Sequence, residues 1–350
     1  MGRLKKDINK LVVDFIRANP LSSSKEIFEG INDEVSYATV KRVLTILLDE
    51  HLIEASGKGK ARKYTDKNTY SLISPINVGD YFKKETDKRK IHRNFNYSLI
   101  KETLYTAPLF TADELSLLNK LQKQYSKKIA ALTKKEFNKD LEHLAIDLSW
   151  KSSEIEGNTY SLLETERLLK EKKTAANKTK DEAVMLLNHK DALDFIIVTP
   201  NFIKPLTLRS IEDIHSILIK ELGVERNIRK RLVSIIGTNY KPLDNEYQIK
   251  EALEEMCLLV NKTENVFAKT LLVLVLISYI QPFMDGNKRT ARIVSNAILM
   301  SNNYCPLSFR TVDPLDYKKA MLLFYEQNNI SAFKKIFIEQ FEFAIKTYFG

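Results

Sequence analysis

Apolar positions fall at helical spacing along most of this chain. Ile8, Leu11, Val12, Phe15 and Ile16 follow the i, i+3, i+4, i+7, i+8 pattern of one buried helix face, and Pro20 ends it. Ser23, with Glu26 three residues on, forms a capping-box pattern that opens a short second helix into Ile27 and Phe28. The spacing predicts a third helix over about 36–51, with Val40, Val43, Leu44 and Leu47 inward. Its other side, with Tyr37, Thr39, Lys41, Arg42 and Thr45, is polar and basic. Leu52-Ile53-Glu54 and Arg62-Lys63-Tyr64 read as two short strands joined through Gly57 and Gly59, with Lys58, Lys60 and Arg62 around the tip. Three helices and a basic hairpin predict a winged helix-turn-helix domain over residues 1–70.

The pattern weakens from 71 to about 101, where Pro75, Gly79 and a charged run over 83–93 predict a linker lying against its neighbours, bounded at 71–110. Beyond residue 111 nearly everything is helical: about 112–125, 134–151, 162–170, 181–198, 207–221, 248–260, 264–280, 287–301, 314–327 and 330–348. The one extended candidate is 231–236, followed by Gly237-Thr-Asn and Pro242, a hairpin or flap between helices. The apolar run from Leu271 to Ile280 is far shorter than the ~20 residues of a membrane span, so it is expected to be a buried helix. The expected fold is mainly α: a helical domain over 111–350 with a small hairpin flap, preceded by the winged helix.

Length changes this picture little, since 350 residues exceed what one core usually serves. A formal net charge of +10 favours an anionic partner, nucleic acid or nucleotide, although lysines kept for solubility explain it equally well. The acidic residues Asp7, Asp14, Glu26, Glu29, Asp33, Glu34, Asp49 and Glu50 leave a protein-interaction winged helix open beside a DNA-binding one. Cys257 and Cys305 sit in apolar helical surroundings, which reads as core packing in a reducing cytoplasm. The first residues carry Asp7 and Asp14 within the apolar period and no small-residue cleavage site, so they are not read as a secretory signal.

The chemistry concentrates at Gln281-Pro-Phe-Met-Asp-Gly-Asn-Lys-Arg-Thr-Ala-Arg292, a tight connection between two apolar helices. Gly286 lets the main chain approach a ligand, and the free amides of Asn287 and Lys288 at a helix N-terminus form an anion site strengthened by the helix dipole. Asp285, Arg289 and Arg292, at spacings of four and three, put a hard oxygen ligand for Mg²⁺ and two guanidiniums for phosphate on one face. A nucleoside triphosphate with Mg²⁺ is the expected guest.

This string resembles the signature of the Fic family, His-Pro-Phe-x-(Asp/Glu)-Gly-Asn-(Gly/Lys)-Arg-x-x-Arg, at every position except the first. Arg229-x-x-x-Val233-x-Ile235-x-Gly237 with Pro242 is similar to the family's flap, and the resemblance runs over roughly 100–345. It implies transfer of AMP from ATP to a hydroxyl side chain of a target protein. It further implies that Asp285 holds Mg²⁺, that Gly286, Asn287 and Lys288 meet the α- and β-phosphates, and that Arg289 and Arg292 meet the rest. The flap residues Ser234, Ile235, Ile236 and Gly237 would pin target or nucleotide. Upstream, Ser152-Ser-Glu-Ile-Glu156-Gly157-Asn-Thr resembles the family's inhibitory helix, expected near 145–160, whose glutamate would pair with Arg292. A carboxylate on that arginine removes a clamp on the γ-phosphate.

The departure is at Gln281, where the family carries a histidine as general base. A carboxamide can orient a hydroxyl but cannot take its proton, a loss of ~10²- to 10⁴-fold in rate that leaves phosphate contacts untouched. None of His51, His92, His143, His189 and His215 is an evident substitute. Lys288 is also similar to the Doc branch, associated with phosphate transfer, but Arg292 favours the adenylyltransferase scaffold. Three readings follow: an impaired, autoinhibited adenylyltransferase; a non-catalytic ATP sensor controlling DNA binding through Thr39, Lys41, Arg42, Thr45, Lys58 and Lys60; and a Doc-like phosphotransferase. The sequence leaves room for a homo-oligomer.

Overall fold

The computed structural model describes residues 7–31, 35–67 and 69–349, so Asp33 and Glu34 of the acidic set lie outside the described residues. Helices α1 (Ile8–Ala18), α2 (Ser24–Gly30) and α3 (Tyr37–Asp49) are followed by antiparallel strands β1 (Ile53–Ser56) and β2 (Lys63–Asp66), with Ile53 opposite Asp66 and Ser56 opposite Lys63. Ser23 accepts from the Glu26 amide while the Glu26 carboxylate accepts from the Ser23 amide, the reciprocal cap expected of that spacing. Val12, Val13, Ile16, Ile27, Val40, Val43, Leu44, Leu47, Leu52 and Ile53 close into a core of their own.

Short helices α4 (Thr69–Ile73), α5 (Val78–Phe82) and α6 (Leu104–Thr106) lead to the main helical body: α7 (Ala112–Ala131), α8 (Lys134–Ile155), α9 (Leu162–Glu171), α10 (Lys180–Val198), α11 (Leu208–Leu218), α12 (Glu246–Lys262), α13 (Val266–Ile280), α14 (Asn287–Ser301), α15 (Pro314–Gln327) and α16 (Ser331–Thr347). Helices α7 to α10 each start on a Ser or Thr with Glu three residues later, and each makes the full capping box. Helix α13 is the centre. Every side chain from Thr270 to Ile280 is buried, which is why its sequence is apolar on all sides. Its two hydroxyls turn back on their own helix, Thr270 to the Val266 carbonyl and Ser278 to the Leu274 carbonyl.

Three features differ from expectation, the first being that α7 runs on to Ala131, past the expected end near 125. Helix α8 continues one turn past the expected end near 151, to Ile155, because Ser152 and Ser153 face the interior and keep the helix packed there. The segment 231–236 is not half of a hairpin: among the described residues the two strands are β1 and β2, and residues 231–236 form none. Its anchorage comes from elsewhere, since Lys241 donates its amide to the Arg93 carbonyl at 2.7 Å, tying the far arm of the flap to the linker. The linker is also fixed at its start, where Ile330 donates to the Leu72 carbonyl and the Asn329 amide group reaches the carbonyls of Ser71 and Ser74. No described helix is long and apolar enough to cross a membrane.

Candidate functional site

The connection between α13 and α14 is built from the end of one buried helix and the start of another. Gln281 ends α13 in the left-handed conformation, with φ of 52°. Its carboxamide is occupied: Nε2 donates to the Ser278 carbonyl at 2.6 Å, and Oε1 accepts from Asn287 Nδ2 at 3.1 Å. Asn287 also closes the loop on itself, accepting from the Phe283 amide and donating to the Phe283 carbonyl. Gly286 is the N-cap of α14 with φ of 81°, and no side chain caps the first-turn amides behind it. A Cβ at Gly286 would lie 3.3 Å from Ile219 Cγ2 and 3.4 Å from the His215 ring, so both conformation and space require glycine.

The charged residues of the motif split between mouth and interior. The side chain of Asp285 is 61% exposed at the mouth and holds Arg289 Nη2 at 3.0 Å, while Arg289 itself is buried and its Nη1 reaches the Leu218 carbonyl. Burial pushes the Arg289 pKa down. Arg292, fully buried three residues on, faces α8: Nε donates to Ser152 Oγ at 2.8 Å and Nη2 donates to the Ser152 carbonyl and, at 2.7 Å, to Glu156 Oε1. Tyr317 stacks below its guanidinium, 5.1 Å from ring centre to Cζ.

Glu156 caps the C-terminus of α8, and Gly157 turns the chain away with φ of 99°. The Glu156 carboxylate bridges two cations, Arg292 through Oε1 and Lys288 through Oε2 at 2.8 Å. Burial alone would raise its pKa, yet Lys288 and Arg292 together hold it down at about 2. The expected pairing with Arg292 therefore comes with a second one, to Lys288, that the spacing did not suggest.

Opposite this triad lies the flap. Val233, Ser234, Ile235 and Ile236 line a cleft of about 340 Å³ together with Glu156, Gln281, Met284, Asp285, Asn287 and Lys288, and Lys318, Met321, Leu322 and Tyr325 of α15 form its other wall. Gly237 lies just beyond, its φ of 91° setting the bend that returns the flap to the linker. Ser152, Arg289 and Arg292 are buried behind the cleft.

Two residues hold this loop in shape: His215, which no linear pattern marked, and Arg229, the first residue of the flap pattern, whose anchoring role that pattern did not give. The His215 ring stacks on Phe283 at 3.6 Å, and its Nε2 lies 3.0 Å from the Asp285 carbonyl; a carbonyl only accepts, so Nε2 carries the proton. Burial pulls the His215 pKa down to about 4, leaving it neutral at pH 7. Arg229, fully buried, donates from Nε to the Gln281 carbonyl at 2.6 Å, from Nη1 to the Arg231 carbonyl and from Nη2 to the Leu243 carbonyl, while its amide donates to the Pro282 carbonyl. One guanidinium thus joins both roots of the flap to the loop. His51, His92 and His143 are exposed, far from any such role, and His189 is buried with neither ring nitrogen hydrogen-bonded.

In the N-terminal unit, Lys41, Arg42 and Thr45 are exposed on α3, with Thr39 half-buried beside them, and Lys58 and Lys60 are exposed at the hairpin tip. Thr45 Oγ1 donates to the Lys41 carbonyl, and the Lys41 ammonium lies over the Tyr37 ring at 4.7 Å.

Comparison with known proteins finds relatives of this chain. A protein adenylyltransferase Fic of Nematostella vectensis is 30% identical over 172 residues, 47% of this chain and 40% of the relative. One of Culex quinquefasciatus is 29% identical over 159 residues, 44% of this chain and 31% of the relative. The chain thus spans less than half the length of these relatives. Among solved structures, Fic-1 of C. elegans aligns with a TM-score of 0.59 at 19% identity, over 70% of this chain and 74% of that one. A Fic-domain signalling protein of Bacteroides thetaiotaomicron aligns at 0.56 and 17% identity, over 66% and 95%. The family model of the Fic/DOC family matches residues 205–299, which include the flap, both arginines and the glycine turn, so this chain carries a Fic/DOC-family domain.

Proposed function

We propose that the chain is an AMP-transferring scaffold that binds ATP with Mg²⁺ and is held off by Glu156. The observation that carries this reading is the bridged triad: the two cations best placed for a triphosphate, Lys288 and Arg292, are both occupied by one ionised carboxylate. The residues fit the nucleotide. The first-turn amides of α14 lack a side-chain cap, which leaves backbone donors for phosphate oxygens. Asp285, partly exposed at the mouth, would hold Mg²⁺, which binds through one or two carboxylates together with substrate phosphates. The bound ion would supply charge neutralisation on the phosphates.

In this reading Arg289 keeps the Asp285 carboxylate in place while facing phosphate, and Glu156 withholds Arg292 from the γ-phosphate. Flap residues Ser234 to Gly237 face target or base across the cleft. Gln281 stands where a proton acceptor is needed, and its amide is spent on Ser278 and Asn287. Having no basic nitrogen, it positions without taking the proton. The target is a protein with a hydroxyl side chain. Both cysteines are free and buried, in keeping with a reducing cytoplasm.

The test has two parts. Calorimetry should detect Mg·ATP binding that Arg289→Ala weakens by about 10- to 100-fold, the range of a lost charge-assisted hydrogen bond. Mass spectrometry should find an AMP adduct for Gln281→His with Glu156→Gly, a gain of about 10²- to 10⁴-fold over the Glu156→Gly chain. No adduct from the doubly substituted chain defeats the adenylyltransferase reading and leaves the ATP sensor.

A second reading concerns residues 1–70 as a winged helix-turn-helix domain that binds DNA. It is supported by the order of three helices and a hairpin around a separate core, and by Lys41, Arg42, Lys58 and Lys60 exposed on α3 and the hairpin tip. Residues 71–110 would join it to the Fic-type domain.

A further inference from the structure

Residues 86–94 of the linker form a strap that reaches the flap at three places. Lys241 donates its amide to the Arg93 carbonyl, Asn239 Nδ2 donates to Asp87 Oδ1 at 2.8 Å, and Arg89 Nη2 donates to the Gly237 carbonyl. Two of these are peripheral; Arg89 is not. Its side chain is 5% exposed and pairs at 2.9 Å with Glu326, a fully buried carboxylate at the end of α15. Glu326 is held in turn by the Tyr81 hydroxyl at 2.7 Å, and its carbonyl accepts the His92 amide. The aromatic ring of Phe82 lies 5.1 Å from the guanidinium. A buried ion pair of this kind has one geometry, because displacing either partner leaves a charge without solvent.

We infer that Arg89 is a positioning residue for the flap. From a charge anchored on α15, the helix that forms the opposite wall of the cleft, it fixes the Gly237 carbonyl and so holds Val233 to Ile236 across the cleft mouth. The two walls are locked to each other through a residue of the linker, far in sequence from both. The flap has no strand ladder of its own, so external anchors determine its place. Arg229 sets its roots and Arg89 its far bend. The consequence for ligand binding rests on the nucleotide reading proposed above; the positioning itself does not.

The experiment uses a nitroxide on Ile236→Cys, a flap position that is 80% exposed, and on Leu163→Cys of α9, 77% exposed, as control. Labelling is selective because Cys257 and Cys305 are buried and burial pushes the Cys257 thiol up to about 12. Arg89→Met should mobilise the label at 236 and leave that at 163 unchanged. Asp87→Ala removes only an exposed contact and preserves the fold; it should move the 236 label in the same direction by a smaller amount. An unchanged 236 spectrum in Arg89→Met, or equal loosening at 163, overturns the inference.

In the Glu156→Gly chain, Arg89→Met should raise the Mg·ATP dissociation constant about tenfold if the competent flap population falls to about a tenth. Unchanged affinity with a loosened flap refutes the functional half. If the unsubstituted pocket binds no ATP at all, the nucleotide reading fails while the labels still decide the role of Arg89.

Discussion

Replacing Glu156 with glutamine tests the triad most directly, because glutamine keeps the shape of the protonated acid and removes only the charge. Arg292 has no solvent to turn to and would keep the Ser152 hydroxyl and carbonyl and the Tyr317 face as partners. The depression of the Glu156 pKa from 4.5 to about 2 is worth about 3 kcal/mol of native stability at neutral pH. The loss on breaking a buried pair from one side falls in the same range, about 3–5 kcal/mol. Sign follows from proton uptake: between pH 4.5 and about 2 the unfolded chain binds the proton and the folded chain does not, so this stability is full above pH 4.5 and is lost as pH falls towards 2. The chain contains one tryptophan, Trp150, on α8 itself with its indole nitrogen bonded to the Tyr160 carbonyl, so urea unfolding followed by its fluorescence reports on the element that carries Glu156. At pH 7, Glu156→Gln should unfold at lower urea, its stability reduced by about 3 kcal/mol, and the gap from the parent should close as pH approaches 2. Mg·ATP should stabilise the variant more than the parent, since phosphate replaces the missing carboxylate only where the cations are free. A variant within about 0.5 kcal/mol of the parent at pH 7 would mean that the bridge does not form.

His215→Phe keeps the stack on Phe283 and removes the bond to the Asp285 carbonyl. In the parent, burial holds this histidine neutral down to about 4, so its contribution is complete above pH 6.5 and declines as pH falls towards 4; the variant should show a flatter urea midpoint across that window. If the pH dependence is the same in both, His215 is not the group responsible. For the N-terminal unit, a gel-shift series at two salt concentrations should show salt-sensitive DNA binding, and Lys58→Ala or Lys60→Ala should each lower the log–log salt slope by about 1. A shift that salt leaves unchanged would favour protein recognition by that unit.

Local chemistry made much of this protein legible from its sequence. Helix periods, the Ser23–Glu26 box and the breaks at Gly and Pro are interactions over three or four residues, and they placed α1 to α3, the hairpin and most of the helical body close to their observed limits. The glycine turn that opens α14 at Gly286 was legible for the same reason, since an uncapped helix start is a local property. The apolar run 271–280 announced a buried helix because complete burial leaves no polar face to write. Glu156 and Arg292 were brought together by resemblance to a family pattern; their separation in the chain carries no physical signal of contact.

What packing alone decided is what depends on residues far apart. The second salt bridge of Glu156 to Lys288 exists because α8 runs one turn farther and delivers its C-terminus to the start of α14. His215 and Arg229 hold the loop by contacts with backbone carbonyls, and a carbonyl is available at every position, so the local pattern does not announce these contacts, even for Arg229, which the flap pattern had marked. The flap, expected as a hairpin or an unpaired flap between helices, is held by Arg89 and Arg93 of the linker, because residues outside a ladder are bonded where another segment passes beside them.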